Sequence, residues 1–178
     1  MTAGDATGAE PDPPLHLVFM GVSGSGKSTA ALAVRDLLGW EFAEGDDFHP
    51  QANVDKMAAG YPLSDEDRAP WLETLAEWTA ERDAAGTPTL LSCSALRRSY
   101  RDVLRRGGPG TFFVHLVGDK GLLLERMSGR EHFMPPSLLE SQLDTLEPLG
   151  EDEAGMSVDV ANPPGRIARM VLARLDLP

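Results

Sequence analysis

The chain has 178 residues, about one domain's worth and large enough to bury a core without disulfide or metal staples. Its 42% hydrophobic and 25% charged residues are ordinary for a globular protein, which argues against a disordered or fibrous class. The formal net charge of −12 argues against general nucleic-acid binding, since that partner demands a basic surface, and leaves any anionic ligand to a local basic pocket.

Residues 1–14, rich in Gly, Ala, Pro and acidic side chains, cannot bury enough to offset ordering and are expected to form a flexible tail ahead of a single domain over residues 15–178. The tail lacks the basic start and apolar core of a secretory signal, and no later run is long enough to span a bilayer. A cytoplasmic protein with no membrane partner is therefore expected. Leu15 to Met20 is a nearly continuous apolar run suited to a central parallel strand covered on both faces, with His16 structural. It leads into Gly21-Val22-Ser23-Gly24-Ser25-Gly26-Lys27-Ser28, the spacing G-x-x-x-x-G-K-[ST]. Glycines in such a loop let successive N–H groups curl toward one anion, and the helix that follows adds its positive end. Lys27 is then expected to reach the β- and γ-phosphates of ATP, and Ser28 to ligate Mg²⁺. From Lys27 onward Ala30, Ala33, Val34, Leu37 and Leu38 recur at helical spacing up to Gly39, a natural helix stop.

Trp40 to Ala43 is a short strand candidate, followed by Glu44-Gly45-Asp46-Asp47-Phe48-His49-Pro50. Ligands of α/β sheets gather beyond the carboxyl ends of the strands, so an acid here can face the phosphate loop across the crevice. Glu44 and Asp46 are two apart and, in extended backbone, point the same way, one suited to the metal and one to a substrate hydroxyl; Asp47 reads as a solvated turn residue. Pro50 to Ala59 reads as a short helix buried through Val54, Met57 and Ala58. Ser64-Asp65-Glu66-Asp67 is a helix-start signature, Pro70 is expected to open a second helical segment, and Trp71, Leu72, Leu75 and Trp78 form its core face. Arg68, at the junction of the two, either reaches into a cleft or pairs with Asp65 or Asp67.

Pro88 to Cys93 is the next apolar strand. The single Cys93 excludes an intrachain disulfide and reads as buried and inert. The strand ends in Ser92-Cys93-Ser94, without the metal-binding Asp that P-loop switches and motors carry there. In the helix Leu96 to Arg106, Arg97, Arg101 and Arg105 share one face, read as mostly solvated. Arg97 and Arg98, nearest the strand end, are expected by a ligand anion. Thr111 to Val117 is a clear strand with His115 a buried imidazole, and Asp119 starts a helix through Met127. Arg126 and Arg130 lead into Glu131-His132-Phe133-Met134-Pro135-Pro136, so a lid is expected around residues 126–146, with a surface pair to Glu125 as the plain alternative. Pro136 to Leu146 continues as helix, Glu147 to Glu153 is an acidic loop, and Met156 to Ala161 is a last strand. Asn162-Pro163-Pro164-Gly165 turns into a closing helix, Arg166 to Leu175. Five strands alternating with helices predict an α/β doubly wound parallel sheet. Spacing alone reaches an ATP-dependent phosphotransferase.

These residues resemble the gluconate kinase (gluconokinase) family, within the small-molecule and nucleoside monophosphate kinase group of P-loop folds. The resemblance covers nearly the whole chain after the tail. Beyond the phosphate loop and the segment 44–50, it rests on Asn53-Val54-Asp55-Lys56-Met57 and on Gly60-Tyr61-Pro62-Leu63-Ser64-Asp65-Glu66-Asp67-Arg68-Ala69-Pro70-Trp71-Leu72. It continues in Cys93-Ser94-Ala95-Leu96-Arg97-Arg98-Ser99-Tyr100-Arg101-Asp102 and in His132-Phe133-Met134-Pro135-Pro136-Ser137-Leu138-Leu139. It implies a P-loop kinase with a helical lid that transfers the γ-phosphoryl group of ATP, with Mg²⁺, to the terminal hydroxyl of D-gluconate, usually as a cytosolic homodimer of carbohydrate metabolism. Within it Gly21, Ser23, Gly24, Ser25, Gly26, Lys27, Ser28 and Thr29 hold the nucleotide phosphates, and Arg126, Asn162 and Pro163 its adenine side. Asp46 orients or deprotonates the hydroxyl, and Arg130 acts on the transferring group. His49, Arg68, Arg97, Arg98 and His132 are the candidates for the sugar acid. Glu44, the second candidate for metal beside Ser28, stands where relatives commonly have Asp. The alternatives are a kinase for another small hydroxy acid such as shikimate, and a module that binds ATP without turnover. Asp46 and the arginine-rich lid, which a binding module does not need, speak against the second.

Overall fold

The computed structural model describes residues 10–128 and 137–178. Five strands, β1 (His16–Met20), β2 (Glu41–Glu44), β3 (Thr89–Ser92), β4 (Thr111–Val117) and β5 (Gly155–Asp159), form one parallel sheet in the order β2-β3-β1-β4-β5. The connecting helices are α1 (Lys27–Leu38), α2 (Gln51–Ala58), α3 (Asp65–Ala84), α4 (Arg98–Arg105), α5 (Lys120–Ser128), α6 (Leu138–Thr145) and α7 (Pro164–Arg174). β1 is buried along its whole length because both of its faces are covered. Leu17 and Phe19 pack with Val34 of α1 and Ile167 and Val171 of α7, whereas Val18 and Met20 pack with Leu75 of α3 and Leu104 of α4. A two-residue side-chain period therefore turns one continuous apolar run into two cores.

The chain leaves β1 toward the α1 face and leaves β3 toward the α4 face, which opens a crevice beyond the carboxyl ends of these two neighbours. There the two loops touch, with Gly21 N–H donating to Ser94 O at 3.2 Å. The crevice is where the sequence predicts the site.

Three local expectations are corrected. Pro70 does not open a second helix: α3 runs unbroken from Asp65, started by a reciprocal cap in which Ser64 Oγ accepts from Asp67 N–H and Asp67 accepts from Ser64 N–H. Pro70 lies on the solvent side, where the carbonyl it leaves without a donor faces water. In α2 the buried side is Asn53 and Met57, and Ala58 is exposed. Asn53 is drawn inward because its Nδ2 donates to Asp67 O at 2.9 Å. Nor is the Arg101 and Arg105 stripe of α4 solvated: Arg101 is 0% exposed and donates to both carboxylate oxygens of Glu153, at 2.9 and 3.0 Å, while Arg105 also bonds Glu153 and covers the Phe113 ring. Glu153, from the acidic loop before β5, is the buried counter-charge that admits these guanidinium groups to the interior.

Candidate active site

Gly24 and Gly26 hold φ near +81° and +87°, conformations that a side chain would strain, and Gly26 caps α1 so that Lys27 begins the helix. The loop thereby brings the start of α1 and its N–H groups to one cavity, lined by Ser23, Gly26, Lys27, Ser28, Glu44 and Asp46 among others, while Gly21, Ser23 and Ser25 N–H donate to Ser94 O, Gln142 Oε1 and Val22 O. Lys27 Nζ donates to Val22 O at 3.2 Å. Burial pushes the Lys27 ammonium below its ordinary pKa, and the carboxylates of Asp46 and Glu44 oppose that fall. Ser25 is buried, and its hydroxyl has no partner among the described residues. An orphaned hydroxyl and an array of amides fit an anionic ligand.

Glu44 ends β2 directly beside Ser92, the last residue of β3. Its carboxylate accepts hydrogen bonds from Ser28 Oγ and Ser92 Oγ, so an acid of the adjacent strand stands beside the end of β3, which carries none. No group of three His, Cys, Asp or Glu side chains is gathered for a metal among the described residues. Ser28 and Glu44 nevertheless fit Mg²⁺, which keeps most of its waters and takes few protein oxygens beside nucleotide phosphates.

Asp46 is carried on a 3₁₀ turn, Gly45–Phe48, and not on extended backbone. Glu44 and Asp46 still reach one cavity, because the turn is pressed against β3: a Cβ on Gly45 would lie 2.1 Å from Ser92 O. Trp71 fixes both ends of this turn. Its indole N–H donates to Gly45 O at 2.8 Å, and its ring stacks on His49 with centroids 4.0 Å apart. The sequence marks Trp71 only as core; the pairing across the fold is what gives it a place at the site.

A second cavity adjoins the first and shares Ser23, Lys27 and Asp46 with it; His49, Arg68 and Gln142 also line it. Asn53 Nδ2 stands 3.3 Å from His49 Nδ1, and an amide nitrogen can only donate, which leaves the imidazole proton on Nε2, 3.8 Å from Asp46 Oδ1. Burial, assisted by Arg68, lowers the His49 pKa to about 4, so the ring is neutral at physiological pH. Arg68 takes the cleft alternative: its Nη1 donates to Tyr100 Oη at 2.9 Å, and Tyr100 Oη in turn donates to Asp65. Asp67 instead pairs with Lys56 at 2.6 Å.

On the opposite flank a third cavity is bounded by Gly26, Thr29, Arg126, Asn162, Pro164 and Ile167. Arg126 Nη2 donates to Val160 O at 2.7 Å. Pro164, not Pro163, lines the wall, because Pro163 is spent as the cap of α7. Arg97 and Arg98 are not brought to the acceptor-side cavity. Arg97 pairs with Asp65 at 3.3 Å, and Arg98 makes a bidentate pair with Asp152, whose attraction raises the Arg98 pKa further. Arg130 and His132 lie outside the described residues, as does part of the expected lid; α6 is its described remainder. Cys93 is buried beside Lys27, and burial pushes its thiol up to about 12, which leaves it inert.

No family model matches the chain. Curated relatives do. A gluconokinase of Gluconobacter oxydans is 53% identical over 141 residues, 79% of each chain, and the thermosensitive gluconokinase of Escherichia coli is 43% identical over 162 residues, 88% of this chain and 87% of that one. Among solved structures, a gluconokinase from Sinorhizobium meliloti superposes with a TM-score of 0.79 at 48% identity, covering 93% of this chain and 95% of that one. An unliganded sugar kinase from Janibacter sp. HTCC2649 reaches a TM-score of 0.89 at 53% identity over 93% and 96%. Shikimate kinase from Aquifex aeolicus, at 15% identity and a TM-score of 0.57 over 91% and 96%, shares the fold alone.

Proposed function

The chain belongs to the gluconokinase family, and from that premise we propose that it transfers the γ-phosphoryl group of ATP to the terminal hydroxyl of D-gluconate. The observation that carries the reading is the shared boundary of two cavities: Ser23, Lys27 and Asp46 belong both to the phosphate cradle and to the pocket beside it. A hydroxyl lodged in that pocket lies between the carboxylate of Asp46 and the phosphates gripped by Lys27. Asp46 accepts the hydroxyl proton as the new O–P bond forms and the bond between the γ-phosphorus and its bridging oxygen breaks, releasing ADP. Neutral His49, with its proton on Nε2, stands 3.8 Å from Asp46 and leaves its carboxylate unneutralised. Arg68 is the second cation that lines the pocket and, unlike Lys27, does not line the phosphate cavity, which suits it to the sugar acid's carboxylate. Ser28 and Glu44 would hold Mg²⁺, which when bound would supply charge neutralisation on the phosphate oxygens.

The third cavity takes the base and ribose, with Arg126 and Asn162 at its wall. Arg130 and His132 keep the roles that the family resemblance implies. The same resemblance supports a single kinase domain after a short tail, a homodimer and a cytoplasmic location. No described helix is long and apolar enough to cross a membrane. ADP release measured with MgATP over a panel of sugar acids and shikimate tests the substrate. D-gluconate is expected to give the highest kcat/KM; a preference for shikimate, or no turnover with any acceptor, overturns the reading.

A further inference from the structure

Gln142, in the middle of α6, touches the phosphate loop from a distant part of the chain: its Oε1 accepts from Ser23 N–H at 2.7 Å. A backbone N–H can only donate, so this bond fixes which end of the carboxamide faces the loop. The same side chain lines the acceptor pocket with Lys27, Asp46 and Arg68, and it also lines an adjoining pocket with Arg68, Leu138 and Ser141. It is held firmly there. Leu138 packs on Met57 and Leu63, Leu139 enters the main core, and Glu147 N–H, just after the helix, donates to Leu96 O at 2.7 Å.

Of the charged side chains that line this pocket, Lys27 and Asp46 also line the phosphate cavity and Arg68 does not. Lys27 and Asp46 stand where phosphoryl transfer occurs, and Arg68 stands where a carboxylate is suited. A polyhydroxy acid laid between them presents secondary hydroxyls, each both donor and acceptor. A carboxamide is the neutral group that matches them without repelling either the phosphates or the acid. We propose that Gln142 is a specificity-determining residue that reads the secondary hydroxyl next to the one phosphorylated, setting the polyol's register against the phosphate loop. The assignment rests on the gluconokinase reading above.

The test compares wild type, Gln142→Ala and Gln142→Glu on D-gluconate and on its analogue lacking the hydroxyl at carbon 5, with binding of a non-hydrolysable ATP analogue measured in parallel. Gln142 is half-buried at the pocket wall, and thermal melts establish that each variant is folded. Wild type is expected to prefer gluconate over the deoxy analogue by roughly 10- to 100-fold in kcat/KM, as loss of a matched buried hydrogen bond implies. In Gln142→Ala that preference collapses toward unity while nucleotide affinity stays put, and the like charge in Gln142→Glu raises the KM for gluconate further. An undiminished preference in Gln142→Ala, or a loss confined to nucleotide binding, overturns the proposal. Absence of gluconate turnover in wild type would instead remove the reading on which it rests.

Discussion

Asp46 and Lys27 are legible from the sequence because their chemistry is local. A phosphate loop is a run of eight residues, and an acid two residues past a strand lies beyond the sheet by construction. Trp71, Tyr100, Glu153 and Gln142 are not legible, since each acquires its part from a partner 26 to 119 positions away, and an indole, a phenol or a carboxamide carries no spacing signature. Arg98 shows the converse, a charge that sequence position puts near the ligand and that Asp152 draws off. At this scale the account predicts that Asp46→Asn, which keeps shape and removes the proton acceptor, lowers kcat by about 10²- to 10⁴-fold while binding of an ATP analogue is unchanged. Steady-state kinetics beside equilibrium titration would show it. Unaltered kcat would remove Asp46 from the chemistry.

At the scale of the element, the pattern of strands and helices follows from periodicity, but the boundary inside 64–84 does not. Proline is a stop signal when read alone, yet the reciprocal cap at Ser64 and the buried run Arg68, Trp71, Leu72 and Leu75 together outweigh one missing hydrogen bond on the wet side. α3 carries both Arg68 and Trp71, so its start governs the pocket wall and the turn that bears Asp46. Replacing the cap, Ser64→Ala, is expected to cost about 1 kcal/mol, read as a lower urea midpoint at constant m-value. No change in midpoint would mean that the cap is not what starts the helix.

Over the whole molecule the acidic composition hides buried ionisable groups with depressed pKa values, and besides Lys27 three of them titrate on the acid side. His49 and His115 are held near 4 against an ordinary 6.5, in both cases by burial first and by a neighbouring arginine second. Burial pushes Glu153 up, but hydrogen bonds from Arg101, Gly150 N–H and Arg105 prevail and bring it from 4.5 to about 2. Between pH 6.5 and 4 the unfolded chain binds protons at both histidines that the folded chain refuses, so stability falls as pH falls. The Glu153 contribution is complete above its unfolded value of 4.5 and is lost as pH drops through about 2. Urea midpoints are thus expected to decline steadily from pH 7 to pH 4. A flat profile over that range would contradict neutral burial of the two imidazoles.

In the proposed function, a phosphoryl group meets the primary alcohol of a sugar acid in the pocket that Lys27 and Asp46 share with the phosphate cavity. Proton-coupled ³¹P spectra of the product made from MgATP and D-gluconate test it most directly. A phosphomonoester whose phosphorus couples to the two protons of one carbon, formed one for one with ADP, is the predicted result; free phosphate alone, or coupling to a single proton as in an ester on a secondary carbon, would contradict it.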